Sequence, residues 1–283
     1  MSIAGRPNLL RQSPVLGKDC MKNLFENISE IKTQIEKRGG AFLMFDFDGV
    51  LSAIAPTPDE AFISDKNKAL VKACAERFPV AVITGRELSE IKNKMKIEGL
   101  LYIASHGLEW EEGGEYHSKS IPKETIEAIN FAKEKIRPLL SRYPGMIFED
   151  KSFMFAVHYR IIKPELIGAF VKEVTSILGP IIEKNSLRLD HNLMTFELRP
   201  EIYWNKGDSA LFTSDYFRKK TKKNFIPIYI GDSVTDEDAF RALKDGITIR
   251  VRSKEGSAAK YFFKSQKEVG KFLGWLVKIQ PHS

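Results

Sequence analysis

Short apolar runs alternate with stretches of helical periodicity along most of the chain. AFLMF (residues 41–45), VAVIT (80–84), LLYIAS (100–105), FIPIYIG (225–231) and ITIRV (247–251) are almost wholly apolar and of strand length. Segments of helical rhythm separate them, as in MKNLFENISEIKTQIEKRG, where Leu24, Ile28, Ile31 and Ile35 recur at helical spacing. Runs apolar on both faces, divided by helices, predict a parallel sheet covered on both sides, an α/β fold. In such sheets ligands bind beyond the carboxyl ends of the strands.

The rhythm changes between residues 119 and 203. A helix over residues 123–140, apolar at Ile126, Ile129, Ile136 and Leu140, precedes the strand candidates MIFED and SFMFAVHYR; ELIGAFVKEVTSIL then leads to SLRLDH and LMTFELRP. These strands alternate. Phe153, Phe155, Val157 and Tyr159 share one face and Met154, Ala156, His158 and Arg160 the other, while Met194, Phe196 and Leu198 oppose Thr195, Glu197 and Arg199. The pattern predicts a sheet with helices on one side and a polar face left over. The expected organisation is a flexible arm at 1–24, a parallel-sheet core at 25–118 and 204–283, and an inserted α+β unit at 119–203.

Composition narrows the function only a little. With 283 residues and 43% hydrophobic content, the chain can bury a sizeable core. The net charge of +7 invites a nucleic-acid reading, but the lysines are scattered and no basic stripe interleaves with aromatics. KKTKK (219–223), the densest run, reads as a solvated turn, so no nucleic-acid partner is expected. Cys20 and Cys74 make no disulfide framework, and Cys74 falls among apolar helix positions as an inert core thiol would. The first twenty residues lack the apolar core of a signal peptide, and no run approaches the ~20 apolar residues that span a bilayer. A cytoplasmic, monomeric protein with no membrane partner is expected.

The chemistry sits at the strand ends. AFLMF runs directly into Asp46 and Asp48, VAVI into Thr84-Gly85-Arg86, LYIA into Ser105-His106-Gly107, and IPIYI into Gly231-Asp232. Singly, each has a bland explanation: an acid after a strand is commonly a turn former or helix cap, and GDSVTDEDAF alone reads as a capped helix start. Together, all four ends fall on one edge of one sheet and gather several carboxylates, a hydroxyl and free backbone N–H groups. Carboxylates with backbone oxygens make a hard, octahedral Mg²⁺ site. An Asp held beside such an ion can attack phosphorus, and a second acid two residues on can move the proton.

These stretches resemble the haloacid dehalogenase superfamily, which uses an Asp-x-Asp-Gly loop, a Ser/Thr after the second strand, a Lys and a Gly-Asp-x-x-x-Asp motif. FDFDGVLSAIAPTPDEAF, VAVITGR, YIASHGLEW, EDKSFMFAVHYR, FELRPEIYWNKGDSALF and YIGDSVTDEDAF are similar, in order and spacing, to the trehalose-6-phosphate phosphatases. The resemblance implies a Rossmann-like parallel-sheet core with a mobile α+β cap, and Mg²⁺-dependent hydrolysis of trehalose 6-phosphate through an aspartyl phosphate, in trehalose biosynthesis. It implies that Asp46 is the nucleophile and Asp48 the general acid/base, with Asp46, the carbonyl of Asp48, and Asp232 as metal ligands. Thr84, Gly49 and Gly85 would hold phosphate, Lys206 would neutralise charge, and Asp236 would orient that lysine or a metal-bound water. Glu149, Lys151, Arg160 and Glu197 would bind sugar hydroxyls, with Arg86, His106 and Arg199 shaping the site. Val50 stands where many relatives carry Thr, and Ser233 where they often carry a second acid. The same core motifs would serve a phosphatase of sucrose phosphate or mannosyl-phosphoglycerate, whereas a non-catalytic sugar-phosphate sensor is disfavoured by the presence of Asp46, Asp48, Lys206 and Asp232.

Overall fold

The structure, a computed structural model, describes residues 21–192, 194–202 and 204–279. The described residues open with β1 (Lys22–Asn23), α1 (Ile28–Lys37), β2 (Ala41–Phe45), α2 (Asp65–Ala75), β3 (Val80–Ile83), α3 (Leu88–Met95), β4 (Leu101–Ala104), β5 (Glu109–Glu112) and β6 (Glu115–Ser118). A second group follows: α4 (Lys123–Ile136), α5 (Leu139–Arg142), β7 (Ile147–Lys151), β8 (Met154–His158), α6 (Pro164–Lys184), β9 (Leu187–Asn192) and β10 (Thr195–Pro200). The chain then returns through α7 (Lys206–Thr221), β11 (Ile226–Gly231), α8 (Asp236–Ala242), β12 (Ile247–Val251), β13 (Tyr261–Phe263) and α9 (Lys267–Leu276).

Among the described residues the larger sheet runs β1-β13-β12-β11-β2-β3-β4-β5-β6. Its pairings are parallel from β1 to β4 and antiparallel from β4 to β6. All five strands read from apolar runs are present, and β2, β3, β11 and β12 are buried throughout because helices cover both faces. Leu43, Phe45, Ile228 and Ile249 pack on one side, and Phe42, Met44, Tyr229 and Ala81 on the other. From β2 the order runs one way to β3 and β4, while β11 pairs with β2 on its other side. The crevice at such a reversal is where open α/β sheets place ligands.

The second group makes a separate antiparallel sheet, β7-β8-β10-β9, with its own apolar cluster. Phe155, Val157, Phe196 and Leu198 face α4 and α6, as their alternation requires. The helix expected over residues 123–140 is shorter than its periodicity suggests. Pro138 has no N–H to continue the ladder, so α4 ends at Ile136 and Leu140 is exposed. Of the stretch expected as an arm, residues 1–20 lie outside the described residues, Cys20 among them. Lys22 and Asn23 pair with Tyr261 and Phe262, and Leu24 is fully buried. Among the described residues, no helix is long and apolar enough to cross a membrane. Cys74 is buried, and burial pushes its thiol up to about 12 against the nearby Arg77 charge, as an inert core thiol requires.

Candidate active site

Two strand ends bring Asp46 and Asp232 together. The Asp46 N–H donates to Ile230 O at 2.9 Å, an extension of the β2–β11 ladder that places the residues after β2 beside those after β11. The chain then turns through Gly49 at φ +72°. A Cβ there would lie 2.0 Å from Asp232 Oδ2, so only glycine permits both this turn and this approach. The Asp46 carboxylate is buried, accepting from Phe47 N at 2.7 Å and from Lys206 Nζ at 2.6 Å.

Lys206 enters from the first position of α7, whose start is fixed by reciprocal bonds between Asn205 and Asp208. Its side chain is 4% exposed, and the ammonium also donates to Asp236 Oδ1 at 2.8 Å. Asp236 is saturated: Oδ1 accepts from Lys206 and Tyr229, and Oδ2 from Asp232 N, Ser233 N and Ser233 Oγ. Burial alone would raise its carboxyl, but Lys206 and the Ser233 bonds outweigh that and hold it below the usual range. For Lys206, burial favours the neutral form, and the two aspartates overcome it to hold the ammonium charged. Asp46 goes the other way, since burial pushes it well above the usual carboxylate range against the pull of Lys206.

Asp46, Asp232 and Asp236 each bring a carboxylate oxygen within 4.8 Å of the others. Asp232 is raised to about 6, by burial and then by the Asp236 charge. The three aspartates offer oxygen donors alone at one point. That set fits a hard divalent cation. Asp236 already has five donors, so Asp46 and Asp232 are the carboxylates with capacity to spare.

Thr84, 1% exposed, follows β3 on the same edge. Next to it, a Cβ on Gly85 would lie 2.6 Å from the His106 ring, and Arg86 forks onto Asp48, Nε to Oδ2 at 2.7 Å and Nη2 to Oδ1 at 2.8 Å. Arg86 also pairs with Glu90 and donates to Pro58 O, which ties down the loop after β2. His106 sits in a turn where Ser105, His106 and Gly107 all have left-handed backbone, φ +48°, +57° and +92°. Such strain persists only where neighbours enforce it. Here buried Glu109 does so, accepting from Ser105 Oγ at 2.7 Å and Leu88 N at 2.9 Å.

The polar face of the second sheet lies opposite. Glu149, Lys151, Arg160 and Glu197 wall, with Asp46, Asp48, Thr84, Gly85, Arg86, His106, Lys206 and Asp232, a cavity of about 390 Å³. Glu149 accepts from His158 Nε2 at 3.0 Å, while the other ring nitrogen meets Thr195 Oγ1 at 3.0 Å. Burial would raise Glu149, but that bond and the Lys151, His158 and Arg86 charges keep it ionised. Glu197 is held to about 2: burial works against ionisation, and the His106 bond with the His106, Lys151 and Arg199 charges overrides it. Arg199 is placed differently from the other expected residues. It lines a neighbouring crevice, its Nε bonded to Asp190 at 2.8 Å. Asp236 does not line the cavity but accepts from Lys206, which does.

Three residues outside the expected set also support the site. His158 lines the cavity and orients Glu149, although a strand histidine by alternation is as consistent with packing. Glu109 was signalled by its place in SHGLE. Lys133, buried in α4, donates to Lys151 O at 2.6 Å and anchors the end of β7; nothing in its helical position announces this.

The trehalose-phosphatase family model matches residues 44–267. A trehalose-phosphate phosphatase of Mycobacterium marinum is 32% identical over 240 residues, 83% of this chain and 60% of the relative. A probable trehalose-phosphate phosphatase D of Arabidopsis thaliana is 34% identical over 279 residues, 92% of this chain and 72% of that protein. Among solved structures, the C-terminal domain of a C. albicans trehalose-6-phosphate phosphatase shares the fold, with TM-score 0.75 at 18% identity, covering 93% of this chain and 100% of that one. The chain thus spans about 60% of the length of its mycobacterial relative. Since the matched stretch covers well over half of the residues, the chain belongs to the trehalose-phosphatase family.

Proposed function

We propose that the chain hydrolyses trehalose 6-phosphate to trehalose and phosphate. The observation that carries this reading is the two-sided cavity. Its floor holds a buried aspartate 2.6 Å from a lysine ammonium, and its roof is a polar sheet face bearing Glu149, Lys151 and Glu197. Family membership supports the same reading.

In this scheme Asp46 Oδ attacks phosphorus, the bond to the sugar oxygen breaks, and Asp48 delivers the proton to that oxygen. Asp48 then takes a proton from water, whose oxygen attacks phosphorus and frees Asp46 and phosphate. Lys206, Thr84 and the Gly49 and Gly85 N–H groups hold the phosphoryl oxygens as charge builds. Mg²⁺, held by Asp46, the Asp48 carbonyl and Asp232, would supply a hard cation that withdraws charge from the phosphoryl group. Residues 119–203 serve as the cap, in which Glu149, Lys151, Arg160 and Glu197 accept and donate to sugar hydroxyls. The proposed enzyme works as a cytoplasmic monomer.

Phosphate release from a panel of phosphosugars, with and without Mg²⁺, tests the reading. Strong preference for trehalose 6-phosphate and loss of turnover on chelation are expected. Preference for sucrose phosphate or mannosyl-phosphoglycerate, or no turnover at all, would replace it.

A further inference from the structure

The loop between β11 and α8 carries Asp232, and its first two residues are gripped on both poles of their peptide groups. The N–H groups of Asp232 and Ser233 donate to Asp236 Oδ2 at 3.0 and 2.8 Å. Their carbonyls accept from Arg250, Nη2 to Asp232 O at 2.5 Å and Nη1 to Ser233 O at 2.9 Å. Arg250 stands one strand away in β12, with its side chain 8% exposed. Its charge is matched by Glu237 Oε1 at 2.8 Å, and Glu237 in turn accepts from Ser257 Oγ and Ala258 N, each at 2.8 Å.

We propose that Arg250 is a positioning residue for Mg²⁺, holding the loop so that the Asp232 carboxylate stays facing Asp46. The inference rests on reading Asp46 and Asp232 as metal ligands. Before a cation arrives, the clustered carboxylates repel one another, and a slack loop would relax by carrying Asp232 outward. An outward partner is already close: Arg252 Nη2 lies 3.2 Å from Asp232 Oδ2, and its side chain is 54% exposed. The Arg250 fork opposes that movement by fixing the two carbonyls that would have to turn. A planar guanidinium spans two neighbouring carbonyls, whereas the point charge of an ammonium does not. Arg250 does not line the cavity, so its effect passes through the loop.

Calorimetric titration of Mg²⁺ into the full chain, without substrate, compares the native protein with Arg250→Lys and Arg250→Met. The lysine variant keeps a cation against Glu237, so its urea midpoint should stay near native. It loses the fork, and its Mg²⁺ affinity should fall about 10–100-fold, the range for residues that orient metal ligands. Its turnover should return toward native at saturating Mg²⁺, whereas the methionine variant, leaving Glu237 unpaired, should lose both stability and affinity. Mg²⁺ binding by Arg250→Lys within about twofold of native, at a native urea midpoint, overturns the proposal. A native chain that takes up no Mg²⁺ overturns the metal reading and the proposal with it, an outcome distinct from failure of Arg250 alone.

Discussion

His106 Nε2 lies 3.0 Å from Glu197 Oε1, a contact that joins the turn after β4 to β10 and so links two separately packed cores. Among the described residues, His106→Ala leaves Glu197 with the Lys151 and Arg199 cations, each at 4.0 Å. A charged hydrogen bond contributes about 1.5–3 kcal/mol, so the KM for trehalose 6-phosphate should rise roughly tenfold or more, with a smaller change in kcat. Steady-state kinetics decide it; an unchanged KM removes the His106–Glu197 contact from substrate recognition.

The same contact contributes to acid stability. Glu197 ionises at about 2 in the fold, below its ordinary 4.5, so the unfolded chain binds the more protons between those values. Its contribution is complete above about 4.5 and is lost as pH falls toward 2, up to about 3 kcal/mol across the window. Glu197→Gln should therefore flatten the loss of stability over this range, measured by urea unfolding at stepped pH. Parallel curves for both proteins would contradict it.

Asp46→Asn should fold as native, because Lys206 keeps Asp236 as its partner. Loss of the nucleophile should lower turnover by at least about 10⁴-fold, judged from removal of nucleophiles in other enzymes. Near-native phosphate release by a properly folded variant would displace Asp46 from that role.

Glu149→Ala separates sugar recognition from phosphoryl chemistry. The side chain stands on β7, across the cavity from Asp46, so kcat/KM for trehalose 6-phosphate should drop about 10–100-fold while that for p-nitrophenyl phosphate changes little. Equal losses on both substrates would tell against a sugar-reading sheet.

Gly49→Ala tests the closeness of the two acid loops. The new methyl would have to displace the Asp232 carboxylate and adopt a strained φ. A destabilisation of about 1–3 kcal/mol, with weakened Mg²⁺ binding, is expected in calorimetry and thermal unfolding. Native Mg²⁺ affinity in this variant would mean that Asp232 can move without consequence.

Much of this was legible in the sequence because burial imposes simple patterns. AFLMF and IPIYIG are buried on both faces and read as continuous apolar runs, so the acids that follow them had to share an edge. Alternation in β8 and β10 likewise separates Phe155 and Phe196, inside the second core, from Ala156 and Glu197 on the cavity side. The antiparallel pair β5–β6 gave no such signal, since it joins half-buried Trp110, Glu111 and Glu112 to exposed Glu115 and Tyr116. Arg250 was illegible for another reason. It is one charge inside ITIRV, and its partners are carbonyls 17 and 18 residues upstream, which no local pattern encodes. Arg199 alternates onto the same side as Glu197, yet Asp190 on the neighbouring strand draws it to another crevice.

The cavity walls are divided between two sheets that pack on independent apolar clusters. Neither sheet alone lines this cavity, so a receptor for the whole of the proposed substrate needs both faces together. On the proposed function, a change in the spacing of the two sheets would alter the hold on phosphate and on sugar together, since each is gripped from a different sheet.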